Sequence, residues 1–361
     1  MTAAAMTGIA ARNNCSTDIL SLTDPAGPHS IDCAGQTISF RGFGRAKLSF
    51  VFSSIGHARA AAKCGPPIIL AAHPYLAVPA DVMRYAAPRA KTIVIAHGIE
   101  VWKPLSIYRR RALLRADLVL APSRHTSQKL IDVQGVAADK VRRLAWPVSP
   151  SFLRLADDPA GLDVPPAFPQ KGPVILTVGR WASSERYKGA DELIRAIPQL
   201  WADVSDIQLV LVGGGDDLPR LRKIASDLGV SDRVHFLQNL SRDEVAACYA
   251  HADIFALPST GEGFGLVFLE AMAFSRAVVG AASGGATDLI EDGVNGLLVP
   301  PNDGRSLTGA LSRLLCDETL RSRMGRRGAE IVREKYRFKV LEVELEKICG
   351  DLMPHEQRLH S

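Results

Sequence analysis

Two carboxylates frame a glycine-rich stretch in the second half of the chain, "LPSTGEGFGLVFLEAMAF" (257–274), with Glu262 among the glycines and Glu270 after seven intervening residues. The pattern reads as a strand ending at Pro258, a loop holding Gly261, Gly263 and Gly265, and a helix beginning near Leu266. Backbone N–H groups at such a helix start should face an anion. At 1.5 Å per helical residue the two acids span roughly 10 Å. That exceeds the ~5 Å of a retaining glycosidase pair and reaches or passes the wider inverting spacing, so joint acid–base work on one bond is disfavoured. The spacing suits hydroxyl hydrogen bonds to two separated sugars with phosphates between them, which outlines a nucleotide sugar. Without the glycines, a helix-start acid and a surface glutamate would explain the pair equally well.

Two cations belong to the same chemistry. Arg180 ends the apolar run "PVILTVGR" (173–180), at the carboxyl edge of a strand, where open α/β sheets bind ligands. Lys188 opens the helical pattern "KGADELIRAI", where the helix dipole disfavours a cation unless an anion is near. A phosphate reconciles both, against the ordinary reading of two solvated cations. Gly213 and Gly214, in "GGG" (213–215) after another apolar run, permit a sharp turn or a close backbone approach. No G-x-G-x-x-G dinucleotide fingerprint and no acidic metal motif accompany them. "DD" (216–217) reads as a loop or helix-start feature.

In the first half, His97 closes "TIVIAH" (92–97) and His73 closes "PIILAAH" (67–73), both at the carboxyl ends of predicted strands. A lone histidine is more often structural. Arg109, Arg110, Arg111 and Arg115 crowd into little more than two predicted helical turns, a cluster suited to anionic headgroups or a lipid-linked diphosphate, or else to a solvated face.

Short apolar runs alternate with helical patterns along the chain, the signature of βαβ units and parallel sheets. Predicted strands are 18–22, 67–72, 92–97 and 118–123, then 173–180, 207–215, 233–237, 253–259, 277–282 and 296–300. Between the two sets lies a segment with Pro at 147, 150, 159, 165, 166, 169 and 173, read as a linker. Two doubly wound domains so joined would bind ligands in a cleft between facing carboxyl edges. At 361 residues, 47% hydrophobic and 22% charged, the chain suffices for two cores. No run approaches the ~18 apolar residues of a membrane span, and the start lacks a leader pattern, so a cytoplasmic protein is expected. Six scattered cysteines without CxxC spacing suggest free thiols. The net charge of +5 divides unevenly: residues 1–147 carry 19 Lys+Arg against 8 Asp+Glu (+11), leaving 24 against 30 (−6). A basic first half fits an anionic substrate or peripheral contact with an anionic membrane at its inner face. Nucleic acid is disfavoured, since neither a binding motif nor aromatic interleaving accompanies the charge.

"EGFGLVFLE" resembles the E-x7-E motif of the retaining family 4 glycosyltransferases (glycosyl transferases group 1). "VGRW…YKG" is similar to that family's Arg and Lys pair, and "SGGATDLIEDGVNGLLVPPND" to the segment after the motif. The likeness runs from about residue 90 to 345. It implies the GT-B fold: two facing Rossmann-like domains with a cleft, here 1–147 and 173–340, a linker over 148–172, and a C-terminal helix (341–361) crossing back to the first domain.

The resemblance also implies the site. Glu270 would hold the ribose hydroxyls, Glu262 the donor sugar, and Arg180 and Lys188 the diphosphate. Gly213, Gly214, Gly263, Phe264, Gly265 and Leu266 would contribute backbone groups. His97 is similar to the family's cleft histidine, which contacts the transferring sugar, and joins Glu262, Arg180 and Lys188 in the catalytic set. His73, Arg109, Arg110 and Arg111 become acceptor-side candidates. The implied reaction moves a hexose, mannose or glucose, from a GDP- or UDP-sugar to a glycan or lipid-linked acceptor, with no cofactor or metal. One departure concerns the start. The family's first strand and glycine-rich loop are missing from the pattern, which keeps open a nucleotide-sugar-binding protein without turnover, and a nucleotide-sugar epimerase as a third reading.

Overall fold

The computed structural model describes residues 1–353. It divides into two compact units, Met1–Ser149 with the chain from Phe338 onward, and Pro150–Arg337. In the first unit, β1 (Leu20–Ser21), β2 (Gly27–Cys33) and β3 (Gln36–Gly42) form a small sheet in the order β1-β3-β2. Four further strands, β4 (Ile68–Ala71), β5 (Lys91–Ile95), β6 (Leu118–Ala121) and β7 (Val141–Arg143), form a parallel sheet in chain order. The second unit holds a six-stranded parallel sheet of β8 (Val174–Val178), β9 (Gln208–Val212), β10 (Val234–Leu237), β11 (Ile254–Leu257), β12 (Ala277–Ala281) and β13 (Gly296–Val299). Its order is β10-β9-β8-β11-β12-β13.

Strand alternation explains the packing. In the first unit Ile93, Ile95, Leu118 and Leu120 face one layer with Ala5 and Ile9 of the helix Thr2–Arg12 and Leu341, Leu345 and Ile348 of the helix Phe338–Leu352. Val94, Ala96, Val119 and Ala121 face the opposite layer with Leu113 and Leu130. In the second unit β8, β9, β11 and β12 are buried almost throughout, as expected of strands covered on both faces.

Several sequence expectations change. "DILSL" yields only the two residues of β1, outside the parallel sheet, paired with β3. The β2–β3 hairpin was not anticipated. Its turn places Ala34 at φ +55° beside Gly35 at φ +80°, and an alanine there carries no turn signature in the sequence. The segment read as a linker contains the helix Pro150–Asp157, whose Phe152 is buried, and a 3-10 turn at Pro159–Gly161, all within the second unit. Proline at a first helical position is compatible with helix, so the proline count misled. The C-terminal helix begins at Phe338 rather than 341 and belongs to the first unit; residues 354–361 of that expected helix lie outside the described ones. Among the described residues no helix is long and apolar enough to cross a membrane.

Candidate functional site

The order of the six-stranded sheet reverses at β8: β9 and β10 lie on one side, β11 to β13 on the other. The loops leaving the carboxyl ends of β8 and β11 therefore sit at the topological switch point, the place where doubly wound sheets take ligands. The β8 loop carries Arg180 to Lys188, and the β11 loop carries Ser259 to Gly265. They are latched together: the Thr260 N–H donates to the Tyr187 carbonyl at 2.8 Å. A side chain at Gly189 (φ +71°) would reach 2.9 Å from the Pro258 ring, and one at Gly261 2.8 Å from the Tyr187 ring.

A third loop, after β12, closes over the glycine-rich one. Gly285 N–H donates to the Glu262 carbonyl at 2.7 Å, and the Ser283 hydroxyl donates to the Thr260 carbonyl at 2.9 Å. Gly284, at φ +58°, has no room for a Cβ against the Glu262 carbonyl. Gly265 (φ +97°) begins the helix Leu266–Ala273, and no side chain caps it. A Gly213 Cβ (φ +116°) would run into the Gly179 carbonyl, and the Gly214 carbonyl accepts from Trp181 N–H at 2.9 Å. Gly213 is thus required by loop packing, whereas a side chain at Gly214 would meet nothing closer than Gln238 at 3.9 Å.

Glu262 and Glu270 are partly buried on this framework. Burial raises the Glu262 carboxyl above its ordinary value, with the Lys188 charge opposing. Burial raises Glu270 to about 7, against the Tyr249 hydrogen bond and the Arg242 charge. The Tyr249 hydroxyl donates to Glu270 Oε2 at 3.0 Å. Tyr249 is fully buried among the rings of Phe152, Phe255 and Phe274. The helix mistaken for a linker thus supports one of the two acids.

Lys188 is lowered chiefly by burial, with Glu262 opposing and Arg180 adding to the fall. Arg180 and Lys188 Nζ (2.9 Å) both pair with Glu185. Phe264 is buried and Leu266 exposed. Sequence reasoning missed Glu185, Tyr249 and the placement of Ser283–Gly285. Only Glu185 had a local signal, its three-residue spacing from Lys188.

The first unit gathers a different set. His73, His97 and Trp146 follow β4, β5 and β7 and stack in a row, with centroids 5.6 Å and 5.5 Å apart. The His97 ring donates from Nε2 to the Ala72 carbonyl at 2.7 Å, and its backbone N–H donates to Glu100 at 2.6 Å. His73 Nδ1 accepts from Tyr75 N–H at 3.1 Å, and burial lowers its pKa. Arg109 lies 4.1 Å over the Tyr75 ring. The arginine cluster divides. Arg110 Nε donates to the Gln134 carbonyl at 2.7 Å and Arg115 pairs with Asp81, and all three of Arg110, Arg111 and Arg115 are exposed. Arg110 thus uses its Nε to brace its own unit. Among the described residues no group of three or more His, Cys, Asp or Glu side chains is placed to hold a metal ion.

Two units, each built on a parallel sheet, the second with its strand order reversing at β8, fit a GT-B glycosyltransferase architecture, and comparison with known proteins agrees. The sequence profile of glycosyl transferases group 1 matches residues 162–331, and that of Glycosyltransferase Family 4 matches residues 8–152. A GDP-mannose-dependent alpha-(1-6)-phosphatidylinositol monomannoside mannosyltransferase of Mycolicibacterium smegmatis is 33% identical over 291 residues, covering 76% of this chain and 74% of that one. Among solved structures, Anabaena HepE in complex with UDP superposes with a TM-score of 0.69 at 22% identity, over 87% of this chain and 86% of the other. Sucrose-phosphate synthase from Thermosynechococcus elongatus superposes with a TM-score of 0.71 at 22% identity, over 96% and 92%. The chain belongs to the family 4 glycosyltransferases. It is a hexosyltransferase that draws on a nucleotide sugar.

Proposed function

We propose that this enzyme transfers mannose, with retention of anomeric configuration, from GDP-mannose to a hydroxyl of a glycan or lipid-linked acceptor during polysaccharide or glycolipid synthesis. UDP-glucose is the second donor to test. The mannosyltransferase relative supports the choice of donor. The observation that carries the reading is the pair of partly buried acids, Glu262 and Glu270, at either end of a glycine loop interlocked with the loop of Arg180 and Lys188.

Glu270 takes the ribose hydroxyls and Glu262 those of the hexose. Arg180, Lys188 and the N–H groups from Gly263 to Leu266 face the diphosphate. The acceptor oxygen bonds to the anomeric carbon on the face the diphosphate leaves, the bond from that carbon to the phosphate oxygen breaks, and the acceptor proton passes to a phosphate oxygen. Negative charge builds on the leaving phosphate, where preaimed cations and dipoles are most effective, and the two cations supply its neutralisation without a metal. His97 meets the transferring sugar, while His73, Arg109 and the exposed Arg111 receive the acceptor. A lipid-linked acceptor would bring the basic first unit to an anionic membrane from the cytoplasmic side.

The test is product analysis by NMR after incubation with GDP-mannose, UDP-glucose and other nucleotide sugars, with and without acceptor. An α-linked mannoside is expected. A β-linked product overturns retention, and an isomerised sugar without acceptor makes the protein an epimerase. Glu270→Ala and Lys188→Ala should each lower turnover about 100-fold or more in folded protein; full activity in both sinks the site.

A further inference from the structure

Glu185 is the one acid of the β8 loop to which the reaction above gives no task. It lies in the 3-10 turn Ser183–Lys188, at a break where its own backbone leaves helical geometry (φ −120°, ψ 28°). Its side chain is only 8% exposed, and it binds both Arg180 and Lys188. The neighbouring acids are engaged elsewhere: Asp217 with Arg186 at 3.0 Å and Arg220 at 2.5 Å, Asp191 with Arg220 at 3.2 Å, and Asp216 with Ser183. None of them replaces Glu185 at the two cations.

The partners of Glu185 differ in freedom. The Lys188 side chain is 16% exposed and that of Arg180 72%. A pair with both members enclosed is hard to separate, because each charge would be left without solvent or partner. A pair with an exposed guanidinium exchanges readily. Arg180 can therefore leave Glu185 for a phosphate while Lys188 stays aligned. Glu185 thus cancels one of the two positive charges that Arg180 and Lys188 would otherwise offer a diphosphate, in addition to the charge of Glu262 that also acts on Lys188.

We propose that Glu185 is a positioning residue and an internal counter-ion: it prealigns Arg180 and Lys188 and competes with the nucleoside diphosphate for them, which limits how tightly the product is held. The proposal rests on the donor-site reading above. It gives an expectation opposite to that of a purely structural role. A structural glutamate, once removed, weakens ligand binding; a competing counter-ion, once neutralised, strengthens it. A like charge a few ångströms from the phosphates at an effective dielectric near 20 has an effect of tenfold or more.

The experiment is calorimetric titration of the full chain with GDP and with UDP, wild type beside Lys188→Ala and Glu185→Gln, together with initial rates. Glu185→Gln keeps the side-chain shape and is expected to lower the Kd of the tighter-binding diphosphate about tenfold, with a parallel fall in its inhibition constant and a lower kcat from slower release. Lys188→Ala is expected to raise that Kd. If neither diphosphate binds wild type, or Lys188→Ala binds as wild type does, the donor-site reading fails and the proposal with it. If Lys188→Ala weakens binding but Glu185→Gln leaves it unchanged or weaker, only the counter-ion role is overturned. Should Glu185→Gln fail to fold, Glu185→Asp, whose shorter arm withdraws the charge from the cations, is expected to tighten binding about threefold; unchanged or weaker binding there overturns the role equally.

Discussion

The carboxyl edges of the two parallel sheets solve different problems. In the second unit the strand order reverses at β8, three loops interlock around the opening, and glycine contacts to neighbouring backbone leave little latitude. In the first unit the four described strands of the parallel sheet run in chain order, and the edge is furnished by side chains: the His73–His97–Trp146 stack and Arg109 over Tyr75. On the proposed assignment the second edge takes the diphosphate shared by GDP- and UDP-sugars, which a backbone-built site suits, and the first edge takes the acceptor, whose variation side chains on loops can follow. The contrast teaches where substitutions should be absorbed and where they should not.

The sharpest way to break this contrast is at Gly284. Alanine there must adopt a left-handed conformation and displace the Glu262 carbonyl. A cost of about 2–4 kcal/mol is expected, with donor turnover falling about 100-fold; a wild-type melting curve and rate would show that the loops are not interlocked.

A second effect, of about 3 kcal/mol, concerns pH. Glu270 has a folded pKa of about 7 against an ordinary 4.5, so the folded state binds more protons between those values. Its contribution favours folding below about pH 4.5 and is lost as pH rises through 7. The donor-free enzyme should therefore lose stability across that window, by denaturant titration at stepped pH, relative to Glu270→Gln. Parallel curves for the two proteins would refute the shift.

The smallest effect lies on the other edge. Arg109→Ala should raise the acceptor KM about threefold and leave the Kd of GDP unchanged. A change in GDP binding would show that the division of labour between the edges is wrong.

Much of the second unit was legible in the sequence because its strands are continuous apolar runs and its loops are marked by glycine. Each of its six predicted strands is present. The β2–β3 hairpin was not legible, since its turn begins with alanine at φ +55° and nothing in the composition announces that. The helix Pro150–Asp157 was hidden by prolines that resemble a linker until one sees that Pro150 occupies its first position.

The sequence by itself determined the class of chemistry. Acids separated by seven residues around glycines, with an arginine and a lysine after an earlier strand, point to a nucleotide sugar because residue type and local spacing are enough to say which groups can meet a phosphate or a hydroxyl. Only the tertiary structure decided how those groups are held. Glu270 rests on Tyr249, twenty-one residues earlier in the chain, and the Glu262 loop is held by Gly285. Arg110, grouped with its neighbours by sequence, is turned to Gln134. These contacts arise between segments distant along the chain, where burial and backbone geometry, rather than local pattern, fix each side chain's partner.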